Sequence, residues 1–418
     1  MFPYFSTATF ASVANQKHLN KKYLWNELMQ KERIGLSVSE QDYRKVPEPP
    51  GVLRDLAGMA GVRFNGHAPW DIQVQDEEVY RRILYKGSLG FGEAYMDGLW
   101  DCRRLDDLFS RLLGSNIDEK LVGWARLRLL GEVLRQSLFN LQSSRRAFQV
   151  GKIHYDIGND VFEAMLDSSM SYSCGYWHNA DTLEQAQLNK LDMICRKLKL
   201  KPGETLLEIG CGWGGLARYA AEHFGVEVVG ITVSKEQQQL AQVRCAGLPV
   251  TIELMDYREL KGKYDKVVSV GMFEHVGTKN YPVYFDTVLR LLKDDGLFLL
   301  HTIGIYKTSR TNDPWLDKYI FPNGKLPSAE EIAATLNDRF LIEDWHNFGQ
   351  DYDRTLMAWW KNFDAAWPSL KAKYGRRFYR MWKYYLMCCA GLFRSRQGQL
   401  WQLVLSKRSR SQTYRSVR

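Results

Sequence analysis

Leu206-Leu207-Glu208-Ile209-Gly210-Cys211-Gly212-Trp213-Gly214-Gly215 is the stretch on which the reading of this chain turns. A short apolar run of strand character carries an acidic residue and breaks into a turn with glycine at 210, 212, 214 and 215. Helical spacing of apolar residues follows over 214–224. Glycine is wanted where the backbone must take positive φ or where a ligand comes close to the main chain. The order strand, acid, glycine turn, helix predicts a nucleotide-type cofactor at that turn. A bare GxG would predict only a bend.

Working outward, 226–233, 250–255, 266–270 and 296–302 are further short apolar or β-branched runs, the earlier ones separated by helical segments such as 236–245. This alternation predicts an α/β fold: a doubly wound, mostly parallel, Rossmann-like sheet with helices on both faces. A late run, 400–405, reads as an added antiparallel edge strand. Upstream, Val46-Pro47-Glu48-Pro49-Pro50 marks a boundary. We expect a poorly defined extension at 1–45 and a smaller, mainly helical N-terminal domain at 46–142. That domain holds helical patterns at 76–85 and 105–113 and a connecting helix at 121–141. The catalytic domain is expected to occupy 143–418.

A dinucleotide site would carry a carboxylate at the end of the second strand, about 20 residues beyond the glycines. Here that strand ends in Gly230-Ile231-Thr232-Val233-Ser234, and the acid, Glu208, precedes the first glycine instead. This is the arrangement expected for S-adenosylmethionine, with Glu208 near the ammonium of its methionine portion. Gly210, Cys211, Gly212 and Gly214 form the turn, and Thr232, Ser234 and Gln237 are expected to meet the ribose. The third strand ends in Met255-Asp256-Tyr257, where Asp256 reads either as a partner of the adenine amine or as a helix cap.

Composition narrows the classes. Seven scattered cysteines without CxxC spacing argue against a disulfide framework or a zinc site, and for a reducing, cytosolic compartment. No metal is expected. No run of about 18 apolar residues predicts a membrane span, and 1–14 lacks the basic flank of a signal peptide. Of the 57 Lys and Arg, thirteen lie beyond Asp364, where no acidic residue follows. Without that tail the chain is net acidic. So local a basic excess predicts a polyanionic partner, either an anionic bilayer surface or nucleic acid.

Motifs spread along the chain carry a resemblance. They are Gly87-Ser88-Leu89-Gly90 with Gly92-Glu93-Ala94-Tyr95-Met96-Asp97-Gly98, His154-Tyr155-Asp156-Ile157-Gly158-Asn159, and Tyr172-Ser173-Cys174-Gly175-Tyr176-Trp177. Beyond the glycine turn come Gly271-Met272-Phe273-Glu274-His275-Val276-Gly277, His301-Thr302-Ile303-Gly304, Ile320-Phe321-Pro322-Asn323-Gly324 and Asp344-Trp345-His346-Asn347-Phe348-Gly349. Over about residues 50–406 the chain resembles the cyclopropane-fatty-acyl-phospholipid synthases, relatives of the mycolic acid cyclopropanating methyltransferases. A small departure is Gly175, where alanine is common in the family.

The resemblance implies a class I methyltransferase that transfers the methyl of S-adenosylmethionine to the cis double bond of an unsaturated phospholipid acyl chain. An alkene is a poor nucleophile, so the sulfonium methyl has to be held in line with it in a dry site. The resulting carbocation needs π-face or anionic stabilisation, and a base must remove a proton for the ring to close. The resemblance implies that this base is bicarbonate, held by Cys174, Glu274, His301, the backbone of Ile303, and Tyr352. An anion beside Glu274 requires that carboxyl to be protonated or to share a proton. Tyr172 and Ser173 are implied as a lid over the cofactor. Cys389, in the aromatic-rich basic helix expected at 376–396, enters as a further catalytic candidate or as packing.

The resemblance also implies a homodimer in the cytoplasm that visits an anionic membrane surface peripherally. Other readings keep the fold: a fatty-acyl methyltransferase giving methyl-branched or hydroxylated products, or a catalytically dead lipid-binding scaffold. A nucleic-acid-binding relative is disfavoured by the absence of an Asn/Asp-Pro-Pro-Tyr motif, and no nucleic acid is expected as partner.

Overall fold

The computed structural model describes residues 48–115, 158–309 and 312–418, all within the compact unit Val46–Arg418. The extension at 1–45, the helix expected at 121–141 and the first four residues of the His154 motif lie outside the described residues.

Seven strands form the main sheet: β1 Thr205–Ile209, β2 Glu227–Thr232, β3 Val250–Leu254, β4 Tyr264–Val270, β5 Leu292–Ile305, β6 Leu341–Asn347 and β7 Gly398–Ser406. Their order is β3-β2-β1-β4-β5-β7-β6; the first five are parallel, and β7 alone runs against them, pairing antiparallel with both β5 and β6. Side-chain alternation divides the core into two layers. Leu207, Ile209, Val267, Phe298 and Leu403 face the helices Tyr281–Leu291 and Ala329–Leu336. Leu206, Val228, Val268, Leu299 and Val404 face Leu183–Lys197 and Gly215–Phe224. The doubly wound reading is realised.

One expectation needs correction. The strand expected at 400–405 is antiparallel, but it is internal, paired with β5 on one side and β6 on the other. Its residues are buried almost throughout, as a strand covered on both faces must be. The edge on this side is β6, whose Leu341 and Ile342 are exposed.

The helices Gly51–Met59, Glu78–Lys86, Ser88–Met96 and Leu105–Gly114 share one apolar cluster with the long helical run Gln350–Arg394. That run is two helices, broken at Gly375 (φ 73°, ψ 164°). Gly391 permits the close approach of Leu105–Gly114, because a Cβ there would stand 2.5 Å from the Cβ of Phe109. Buried Arg380 donates to the carbonyls of Tyr95 and Trp100 and lies over the Tyr95 ring. Arg394 joins Asp353 to Asp106 and Asp107. The basic tail is therefore largely neutralised from within: Lys373, Arg377, Arg380, Arg394, Lys407, Arg410 and Arg418 all pair with carboxylates elsewhere in the chain. Counting charge along the sequence overstated the free positive face, since those acids lie up to 288 positions away. Among the described residues no helix is long and apolar enough to cross a membrane.

Candidate active site

Strand order reverses between β1 and β4, and α/β sheets bind ligands in the crevice at the carboxyl ends of such strands. A cavity of about 1430 Å³ lies there. Gly210, Gly212 and Gly214 take φ of 86°, 53° and 79°. Gly212 lines the cavity and has nothing within 4 Å of where a Cβ would stand. Gly214 serves packing instead. A Cβ there would meet Cys245 Sγ at 2.9 Å, so this glycine seats the neighbouring helix. Glu208 ends β1 buried, with no protein partner for Oε2. Burial raises its carboxyl to about 8, against the opposing pull of Lys190 and the Ala217 amide.

Thr232 and Gln237 both line the cavity and are joined by a 2.8 Å bond from Thr232 Oγ1 to Gln237 Oε1. Ser234 is placed otherwise than expected. It caps helix Lys235–Arg244, accepts from the Gln237 amide at 3.3 Å and donates to Glu236 at 3.0 Å, outside the cavity wall. Asp256 takes the cap role: it accepts from the Arg258 amide and holds the Arg258 guanidinium at 2.6 and 2.7 Å. It still lines the cavity, with Cys211, Tyr257 and Arg258. Tyr172 and Ser173 also line it; the Tyr172 hydroxyl meets that of Tyr385 at 2.7 Å, and Ser173 Oγ accepts from Lys190 at 3.0 Å.

Beyond the cofactor end the same cavity is walled by Leu53, Leu56, Phe109 and Leu112 from the N-terminal helices, and by Leu392 and Phe393 from the long run. Glu274 lines the same cavity, on the turn after β4. Its Oε1 accepts from the Ile303 amide at 2.7 Å, and its buried Oε2 has no partner. Burial raises this carboxyl to about 7 although the Ile303 N–H opposes it. The Ile303 amide is thus taken by Glu274, and the Ile303 carbonyl accepts from Thr302 Oγ1 at 3.1 Å, so it could meet bicarbonate only as an acceptor from its hydroxyl. Tyr352 stacks on Phe393 and lies within electrostatic range of Cys174 and Glu274.

Cys174 and His301 stand just behind the cavity wall. Cys174 is fully buried and burial holds its thiol well above the ordinary range. Burial also keeps His301 neutral, holding it well below its usual value. With the Gln402 amide nitrogen 3.2 Å from Nδ1, the ring proton belongs on Nε2, which is buried without a partner. Gln402→Leu is therefore expected to lower turnover about tenfold while donor affinity holds, because the tautomer and ring orientation are no longer fixed; steady-state kinetics paired with calorimetry checks it. Cys389 lines the cavity, and burial pushes its thiol up to about 12, which keeps it protonated.

The sequence reading missed Lys190, Arg258 and Gln402. A lysine within the buried stripe Leu183, Ala186, Gln187, Leu191 and Ile194 was the legible signal for the first. Nothing local marks Arg258.

A family profile described as mycolic acid cyclopropane synthetase matches residues 142–403. The cyclopropane-fatty-acyl-phospholipid synthase of Escherichia coli (strain K12) is 56% identical over 358 residues, 85% of this chain and 93% of that one. Among solved structures, the cyclopropane synthase MmaA2 from Mycobacterium tuberculosis aligns at 31% identity and TM-score 0.59, covering 62% of this chain and 98% of its own. The mycolic acid cyclopropane synthase CmaA1, complexed with SAH and CTAB, aligns at 32% and TM-score 0.59 with the same coverage.

Proposed function

We propose, since the chain belongs to the mycolic acid cyclopropane synthetase family, that it methylates the cis double bond of unsaturated fatty acyl chains of phospholipids and closes a cyclopropane ring. The chain is an S-adenosylmethionine-dependent methyltransferase of the class I fold. Adenosylmethionine bound at the glycine turn supplies the sulfonium methyl, and bicarbonate bound beside Glu274 supplies the base.

The residues present suit both groups. The partnerless Oε2 of Glu208 and the open space at Gly212 accommodate the methionine portion and the close approach of a nucleoside. The partnerless Glu274 Oε2 and His301 Nε2 suit a small anion, to which a protonated carboxyl and a neutral imidazole both donate. Cys174 and Tyr352 complete that pocket in our reading, with the Ile303 carbonyl accepting from the hydroxyl of bicarbonate. The aromatic faces of Tyr172, Tyr352 and Tyr385 stabilise the positive charge that develops on the acyl chain. The apolar wall keeps out water, which would otherwise capture the cation as an alcohol.

We further propose that residues 46–142 serve docking or dimerisation. Val52, Met59, Leu84 and Tyr85 are exposed apolar residues on helices that also line the cavity, which suits transient contact with a membrane on the cytoplasmic side.

The observation that carries the reading is that one cavity is lined by the cofactor turn, by Glu274 and by an apolar wall. Cis-unsaturated phospholipid vesicles incubated with methyl-labelled adenosylmethionine and analysed by mass spectrometry test it. Label gained as CH2 with loss of the double bond is expected. A further water or two further hydrogens would assign the hydroxylated or methyl-branched product instead. Unlabelled lipid with the donor bound would refute the substrate.

A further inference from the structure

Lys190 is a buried cation to which the chemistry of methyl transfer and ring closure gives no role. It lies on the inner face of helix Leu183–Lys197, 1% exposed, and lines the cavity with Ser173, Glu208 and Gly210. Its hydrogen bond among the described residues goes to a neutral hydroxyl, Ser173 Oγ, at 3.0 Å. An ammonium has three donors and is costly to bury beside a neutral partner alone. Asp167, Cys174 and Glu208 are near enough to act electrostatically, yet none forms an ion pair with it.

Glu208 presents the opposite problem across the same pocket, a buried carboxyl with one oxygen unpartnered. Burial drives Lys190 down to about 8 and Glu208 up to about 8, so each resists its charged form while alone. A ligand carrying both an ammonium and a carboxylate meets both needs at once. The methionine end of adenosylmethionine is such a zwitterion.

We infer that Lys190, together with Ser173, receives the α-carboxylate of the methyl donor, opposite Glu208 at its ammonium. Lys190 is then the residue that selects donors and products bearing the amino-acid end over nucleoside thioethers lacking it. The inference rests on the cofactor assignment and extends it to a specific subsite.

Calorimetric titration with S-adenosylhomocysteine and with 5′-methylthioadenosine, which lacks the amino-acid end, tests it on wild type, Lys190→Met and Lys190→Arg. Methionine fills the volume without the charge. It is expected to weaken S-adenosylhomocysteine about 30-fold, the cost of one charged hydrogen bond, and to leave methylthioadenosine nearly unchanged. Arginine is expected to keep most of the preference. Equal weakening of both ligands by Lys190→Met would make Lys190 a packing residue and overturn the inference. So would unchanged S-adenosylhomocysteine binding with activity recovered only at raised bicarbonate, because the anion served would then be the base. Wild type that binds neither ligand would overturn the cofactor assignment itself, and this inference with it.

Discussion

Valine at Gly212 is expected to weaken S-adenosylhomocysteine more than about 100-fold, whereas valine at Gly247 is expected to leave affinity within about twofold. The two glycines share a conformational demand: φ is 53° at Gly212 and 84° at Gly247, and neither has an atom within 4 Å of its missing Cβ. A β-branched residue at positive φ costs about 1–2 kcal/mol, so both variants should melt a few degrees lower. They differ in what the open space is for. At Gly212 it belongs to the cavity; Gly247 lies on an exposed turn away from it. Strain therefore cancels in the comparison and occlusion remains. Calorimetry beside thermal melts decides the matter. Equal loss in the two variants would mean that destabilisation explains everything, and normal binding by Gly212→Val would remove the turn from the cofactor site.

The features legible in the sequence were those with a local cause. Glycines at positive φ after an apolar strand, and the alternation of short strands with helices, reflect constraints inside a few residues. The break at Gly375 fell at the start of the helix expected at 376–396. Features set by partners distant in sequence were not legible. β6 carries Glu343, Asp344 and His346 and was not among the strands expected, because polar residues interrupt its apolar run; its pairing with β7 makes it a strand. The run 400–405 is nearly continuous in apolar residues, the mark of an internal strand and not of an edge. Ser234 was expected at the ribose and Asp256 either at the adenine amine or as a cap; only the helix starting at Lys235 and the guanidinium of Arg258 show both in capping roles. Lys190 was the informative exception: a charge inside an apolar stripe breaks the local pattern, and such breaks tend to fall at functional sites.

Glu274→Ala is expected to lower turnover about 10²–10³-fold, the usual cost of removing one preorganised donor from a site where charge is held, with donor affinity little changed. Glu274→Gln should lose much less and should change the shape of the pH profile. Burial raises the Glu274 carboxyl to about 7, outweighing the Ile303 amide, which favours the charged form. Below pH 7 the carboxyl is protonated, so Oε1 accepts from Ile303 and Oε2 donates to the anion. Above pH 7 it is a carboxylate and repels that anion. Wild-type turnover at fixed bicarbonate should accordingly fall as pH rises through about 7. Its neighbours do not supply this limb: His301 is held neutral and the thiol of Cys174 stays protonated. Lys190 and Glu208, both near 8, act through donor binding and drop out at saturating donor. Glutamine reproduces the acceptor and the donor at every pH, so its profile should be flat across the same window. A glutamine variant as inactive as alanine, or wild-type turnover that climbs through pH 7, would show that Glu274 works as a charged base. The assignment of proton removal to a separate anion would then fail.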